Sequence, residues 1–156
     1  MTRRRHRIDP GHRRYTVDEA NSALPLVRAI LRDAVDLARD VDSRRRRLAP
    51  LLAARSPESS AAPTDLYGEE LMEVRQRLEE DVQRLGELRD ELTELGVRLV
   101  DPLEGHVEFP TRLCDKPGWL SWKLGEDEVR YWRPRQAKSR RRLPMTVGSI
   151  AGPKSM

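Results

Sequence analysis

The chain has 156 residues, of which 37% are hydrophobic and 36% are charged, and its formal net charge is +4. Typical globular domains are about 45–50% apolar and about 25% charged, so long helices with charged, solvated faces are favoured over one large core. A single cysteine excludes an internal disulfide and a thiolate metal cage. No apolar run approaches the roughly 20 residues of a membrane span, so we expect no membrane association and a cytoplasmic location.

Positive charge is concentrated at the two ends of the chain. Residues 1–14 contain six Arg and one Asp, and residues 133–156 contain five Arg, two Lys and no acidic residue. We expect a disordered basic tail at residues 1–14 and a disordered tail at residues 146–156, around a single domain at residues 15–145. Arg-rich tails can follow the phosphates of a nucleic acid such as RNA. Solvated charge without a partner is the simpler interpretation.

The first helix is predicted over about residues 16–49. Thr16 and Glu19 have the spacing of a capping box, in which each residue satisfies a backbone amide of the other. We therefore assign Glu19 to the cap before any binding role. Apolar residues then recur every three or four positions, which indicates an amphipathic helix with coiled-coil spacing. Pro25 removes one backbone hydrogen bond and predicts a kink.

A second helix is predicted over about residues 66–95, after a flexible linker at residues 50–65 that is rich in Pro, Ser and Ala. Gly96 is typical of a helix stop. Neither helix can bury its apolar stripe alone, so we expect an antiparallel helical hairpin. The remaining stripe favours a homodimer or another protein partner. The predicted seam lies near Leu78, Leu85 and Leu92.

After Gly96 the apolar period falls to two, which predicts an antiparallel β-meander over residues 97–132. One predicted turn covers residues 115–118, and we expect Pro110 to end its strand or to lie at an edge. The fold class is therefore α+β, with a long antiparallel helical hairpin packed on a small antiparallel β-meander.

The aromatic residues are concentrated in this meander, because all three Trp lie within residues 119–132. Strand alternation places Trp122 with Leu120 and Leu124 on one face, and Trp119 on the other face. Aromatic side chains bury a large apolar area, so we assign the Trp122 face to the core rather than to a ligand platform.

Four segments carry a resemblance to a known family. They are YTVDEANSALPLVR at 15–28, LGVRLVDPLEGHVEFP at 95–110, LSWKLGEDEVRYW at 120–132 and RLP at 142–144. Together they resemble the bacterial family called domain of unknown function 2203, over about residues 15–145. The resemblance implies the same order of helices and meander. It implies no activity, because none is established for the family.

The chain departs from that family's pattern after the Tyr-Trp pair. Members usually have a His and then an Asp there, whereas this chain has Arg133 and Gln136; Arg142 and Pro144 still match. A His and an Asp near Glu126 would suit a metal or a general base. Arginine can do neither at neutral pH. The resemblance therefore implies that such a site would be degenerate here, and that the basic edge would favour phosphate or carboxylate groups, with Arg142 able to bind them bidentately.

No catalytic residue, metal ligand set or cofactor is predicted. No His-x-x-x-His, Glu-x-x-His, Cys-x-x-Cys or glycine-rich phosphate loop occurs. His106 and Glu108 could share one side of a strand, but a solvated edge pair is the simpler interpretation, and Cys114 lacks a partner base. The candidate binding residues are Glu19, Glu126, Arg133 and Arg142.

The function predicted from the sequence is a non-enzymatic interaction protein that acts through its helical hairpin. One alternative is RNA binding through the Arg-rich tails. The other is a degenerate metal site around Glu19, Glu126 and Arg142.

Overall fold

The structure is a computed structural model, and it describes residues 14–54, 66–138 and 141–145. These residues form two helices followed by five strands. The helices are α1 (Val17–Ala54) and α2 (Leu66–Glu94). The strands are β1 (Arg98–Asp101), β2 (His106–Leu113), β3 (Lys116–Lys123), β4 (Tyr131–Pro134) and β5 (Leu143–Pro144). The predicted α+β class is confirmed. The predicted tails lie outside the described residues, apart from Arg14.

Side chains stabilise helix α1 near both of its ends. Its first turn is capped by Thr16, whose Oγ1 accepts from the Glu19 amide at 3.1 Å. The helix then continues through Pro50 to Ala54, so the predicted linker cannot start at residue 50. Leu48 is only 6% exposed, and this packing offsets the one backbone hydrogen bond that a proline removes.

Helix α2 ends at a left-handed glycine. Gly96 has a φ of 78°. The Val97 amide donates to the Leu92 carbonyl and the Gly96 amide donates to the Thr93 carbonyl, both at 2.9 Å. This pair of bonds is a Schellman motif, and Val97 is 2% exposed. The stop predicted at Gly96 is therefore confirmed.

The two helices are antiparallel, as two contacts between them show. Arg44, late in α1, forms an ion pair at 2.7 Å with Asp81 in the middle of α2. Tyr15, just before α1, donates its hydroxyl hydrogen to the carbonyl of Leu95, just after α2. The helices thus form the predicted hairpin.

The sheet is a five-stranded antiparallel meander in the order β1-β2-β3-β4-β5. One face packs on the helices, and its Val107, Phe109, Leu120 and Trp122 side chains are fully buried. They belong to a core cluster that also contains Val27 and Leu31 of α1 and Leu88 and Leu92 of α2. This cluster reaches no further along α1 than Val35, so the sheet covers only one half of the hairpin.

Two sequence predictions about β2 need correction. Pro110 does not end its strand, and it lies at an edge only locally, where β1 does not reach. Pro110 lies inside a continuous strand, opposite Trp119 of β3. Its missing N–H falls on the β1 side, beyond the last β1 pair, Arg98 with Glu108. There the Pro110 carbonyl accepts from the Tyr15 amide at 2.7 Å. Proline is tolerated because no ladder bond is lost at this position.

The second error concerns the turn between β2 and β3. Lys116, Pro117 and Gly118 belong to β3, and the chain reverses at Cys114 and Asp115, which have φ values of 50° and 62°. Two consecutive residues with positive φ are the geometry of a type I′ hairpin turn.

The Trp residues lie as the alternation predicts. Trp122 is fully buried, and Trp119 is half-buried on the opposite face. We call this opposite face the outer face of the sheet. Among the described residues, neither helix is long and apolar enough to cross a membrane.

Candidate functional site

The outer face carries a row of polar residues across four neighbouring strands. Arg98 of β1 lies opposite Glu108 of β2, and Glu108 lies opposite Ser121 of β3. Ser121 in turn lies opposite Tyr131 of β4. Side chains on one face of a sheet at paired positions are direct neighbours. The register therefore brings a carboxylate, a hydroxyl and a guanidinium together on the face opposite the helices.

Glu108 is the buried centre of this row. Its side chain is 4% exposed and forms ion pairs with Arg98 and Arg133. Arg133 donates from Nη2 to both carboxylate oxygens, at 3.2 and 3.0 Å, and Arg98 donates from Nη2 at 3.2 Å. The Arg98 guanidinium also stacks 4.1 Å from the Trp119 ring centroid. Burying a carboxylate is costly unless it is paired and hydrogen-bonded in this way.

Arg142 is held by three groups at once. Its Nε donates to Ser121 Oγ at 2.7 Å, and its Nη2 donates to the Ser121 carbonyl at 3.3 Å and to the Glu126 carboxylate. The guanidinium lies 4.2 Å from the Tyr131 ring centroid. Glu126 also accepts from the Lys123 amide at 2.6 Å. Glu126 therefore closes the turn after β3 and fixes Arg142 over the sheet.

His106 forms a hydrogen bond with Ser121, with 2.7 Å between Nε2 and Oγ. Burial lowers the pKa of His106 below its ordinary value of 6.5, so the ring is neutral at pH 7. A Ser–His bond is the contact from which nucleophilic catalysis starts. Ser121, however, is 1% exposed, and its Oγ already accepts from Arg142. A substrate could not reach it, and we assign no catalytic role to the pair.

These side chains border a cavity of about 620 Å³ on the outer face. It is lined by Arg98, Leu99, Val100, Asp101, Glu104, His106, Glu108, Lys123, Arg133 and Arg142. We call it the outer-face cavity. Four of its lining residues are basic (Arg98, Lys123, Arg133 and Arg142) and three are acidic (Asp101, Glu104 and Glu108).

The structure gathers three of the four candidate binding residues here. Arg133 and Arg142 line the outer-face cavity, and Glu126 is bonded to Arg142. Glu19 does not line the cavity, because it lies in the exposed first turn of α1. No group of three or more His, Cys, Asp or Glu residues suited to a metal occurs among the residues described. The geometry thus separates Glu19 from the metal site considered from the sequence.

Sequence reasoning placed His106 and Glu108 on one side of a strand but interpreted them as a solvated edge pair, and it missed Ser121 and Arg98. The alternation within β3 could have added Ser121 to the same face. Arg98 could not be placed in this way, because the register shifts between Leu99 and Asp101.

A second cavity, of about 360 Å³, lies between the end of α1 and the start of α2. It is lined by Arg44, Arg47, Leu48, Leu51, Glu70, Leu71 and Val74. We call it the hairpin-end groove. The predicted seam needs correction here, because Leu92 is fully buried in the chain's own core and Leu85 packs against that core.

A family model described as "Uncharacterized conserved protein (DUF2203)" matches residues 13–145. The chain belongs to the DUF2203 family. That description attaches no activity, ligand or partner to the DUF2203 domain. Searches of the curated proteins and of the solved structures gave no match. The geometry of the outer-face cavity and of the hairpin-end groove is therefore the basis for assigning a function to this DUF2203 protein.

Proposed function

We propose that this DUF2203 protein is a non-enzymatic interaction protein that pairs with a second copy of itself through the hairpin-end groove. The observation that carries this proposal is the apolar lining of the groove. Leu51 and Val74 line the groove and are 43% and 40% exposed. Exposed apolar side chains in a groove, surrounded here by charged residues, are typical of interaction surfaces.

The charges at the groove favour a second copy over an unrelated partner. Arg47 and Glu70 line the same groove, and both are exposed. In a two-fold dimer each surface meets itself, so a basic and an acidic residue on one patch can pair with each other in both directions. Such an arrangement sets Arg47 of one copy against Glu70 of the other, while the apolar side chains close the centre.

Sedimentation velocity on the full chain tests this proposal. We expect a monomer–dimer equilibrium at micromolar concentration. Val74→Glu should raise the dissociation constant at least about tenfold, since it buries a charge in the groove. Leu26→Glu is the matched control: Leu26 is 53% exposed on α1 but does not line the groove, and we expect a change of less than about twofold.

A charge exchange tests the two-fold pairing directly. Arg47→Glu and Glu70→Arg should each weaken the dimer, because each places like charges in contact. An equimolar mixture of the two variants should restore association, since both pairs are then complementary in the mixed dimer. A wild-type monomer at about 200 µM would overturn the proposal, as would a mixture no stronger than its components.

RNA binding through the Arg-rich ends of the chain, residues 1–14 and 133–156, stays a prediction. Deleting residues 1–13 and measuring RNA binding tests the first of these segments separately. Binding that persists in the shortened chain would show that this segment is not its cause.

A further inference from the structure

We infer that the outer-face cavity binds a small oxyanion, a phosphate or a carboxylate group, between Arg98, Arg133 and Lys123. This site lies on the sheet and within one chain, so it is independent of the self-association proposed for the hairpin end. Its volume of about 620 Å³ falls in the range of small-molecule sites, about 300–1,000 Å³.

Positive and negative charges are not balanced at Glu108. Two guanidiniums, those of Arg98 and Arg133, share this single carboxylate. Both of them bond it through Nη2 alone. A guanidinium has five N–H donors, so these bonds use only part of what each arginine can donate. The pair of arginines therefore keeps an excess of positive charge beside the cavity.

The Arg133 guanidinium has N–H donors besides those that bond Glu108. The Arg133 side chain is 15% exposed. Among the described residues, no buried side-chain nitrogen or oxygen lacks a hydrogen-bond partner. Any Arg133 donor without a protein acceptor must therefore reach solvent, and Arg133 lines the outer-face cavity. Preformed donors at a cavity wall are what a carboxylate or phosphate oxygen requires.

A cation fits this cavity less well than an anion. The cavity carboxylates already have partners: Glu108 is paired with two arginines, Glu104 pairs with Lys123 at 3.2 Å, and Asp101 Oδ1 accepts from the Leu103 and Glu104 amides. A cation would have to displace those partners. The Lys123–Glu104 pair is at the exposed rim, with side chains 36% and 60% exposed, so Lys123 can turn to an incoming anion at small cost.

The test measures binding of inorganic phosphate and of malonate to the full chain by NMR. The ring of His106 lines the cavity, and a bound anion should raise its pKa towards or above the ordinary value of 6.5. An anion held by the basic tails would leave the His106 pKa unchanged. His106→Gln identifies the resonance. Comparing the dissociation constants of phosphate and malonate shows whether the site prefers a phosphate or a carboxylate group.

Variants locate the site. Arg98→Gln and Lys123→Gln should each weaken binding about tenfold, as expected for the loss of one charge-assisted hydrogen bond. Arg130→Gln is the matched control, because Arg130 also forms an exposed pair, with Glu128, and does not line the cavity. We expect Arg130→Gln to weaken anion binding by less than about twofold. Arg133 is left unchanged, since its removal would leave the buried Glu108 with the half-exposed Arg98 as its remaining ion-pair partner among the described residues.

Two results would overturn the inference. One is a His106 pKa that does not move at about 20 mM phosphate or malonate. The other is an equal loss of binding in Arg130→Gln, which would reduce the effect to net charge. Repeating the titration on Val74→Glu should give the same affinity, and this keeps the site separate from the dimer.

Discussion

Arg133 donates to both carboxylate oxygens of Glu108, although β3 lies between their two strands. Their side chains are 15% and 4% exposed, so the ion pair is largely removed from water. Removing one member of a buried pair leaves an uncompensated charge, which costs more than removing both. This relationship gives the first prediction.

Arg133→Met should lower the free energy of unfolding by about 3 kcal/mol, the lower end of the range for breaking a buried pair, because Arg98 still pairs with Glu108. The double variant Glu108→Gln with Arg133→Met should lose clearly less, because the under-compensated buried carboxylate is gone. Urea denaturation of the wild type, both single variants and the double variant measures the coupling. If the double variant loses as much as the sum of the single ones, the pair is not coupled.

Trp122→Ala should destabilise the fold by about 3–5 kcal/mol, the usual cost of deleting a large buried aromatic side chain. Trp122 is fully buried in the core cluster. Trp119→Ala is the comparison: its ring is half-buried on the outer face and stacks with Arg98, so the loss should be much smaller. Thermal unfolding of both variants checks this, and equal losses would contradict the assignment of faces.

Two glycines near each other in the sequence should respond with opposite signs to alanine. Gly86 lies within α2, and an added Cβ there would meet nothing within 4 Å. Gly86→Ala should therefore stabilise the protein by about 0.5–1 kcal/mol. Gly96 has a φ of 78°, so Gly96→Ala should destabilise it by about 1 kcal/mol or more. Melting temperatures that shift in the same direction would refute this.

Burial of His106 should make stability depend on pH. The pKa of His106 is lowered from 6.5, so below pH 6.5 the unfolded chain binds a proton more readily than the folded one. This contribution to stability is complete above pH 6.5 and is lost as the pH falls towards the folded-state pKa. Urea denaturation between about pH 7.5 and pH 5.5 should therefore show a smaller loss for His106→Gln than for the wild type. Parallel curves would exclude His106 as the cause.

Local patterns predicted the parts of the fold that local physics determines. Thr16 caps α1, Gly96 ends α2, and period-two alternation separates Trp122 from Trp119. Each of these depends on neighbours within a few positions. Two of the predictions that failed depend on distant parts of the chain. Pro110 stays inside a strand because its nitrogen lies beyond the last β1 pair, where no ladder bond is lost, and Leu48 supports the turns around Pro50 because α2 returns beside it. The third failure, the turn after β2, is local, because the chain reverses at Cys114 and Asp115.

The candidate site was only partly predictable for the same reason. Arg133, Arg142 and Glu126 stood out as charged residues in or near the strand motifs. Glu108, by contrast, looked like a solvated edge residue, since its burial requires Arg133, 25 positions away. Nothing in the sequence around Ser121 marks it as a site residue, because it is one serine in an alternating strand. Its role follows from its contacts with Arg142 and His106.

Tyr15 also has a consequence for how the chain folds during synthesis. Thr111, which donates to the Tyr15 carbonyl at 2.6 Å, is 96 positions away. Both helices therefore leave the ribosome before the strands that cover them. At a synthesis rate of roughly 5–20 residues per second, β3 is completed about 1 to 6 s after α2. We expect stalled nascent chains that end before β3 to expose the apolar helix faces and to be cleaved readily by protease. Chains extended beyond β4 should be protected, because only then can the sheet close over α1.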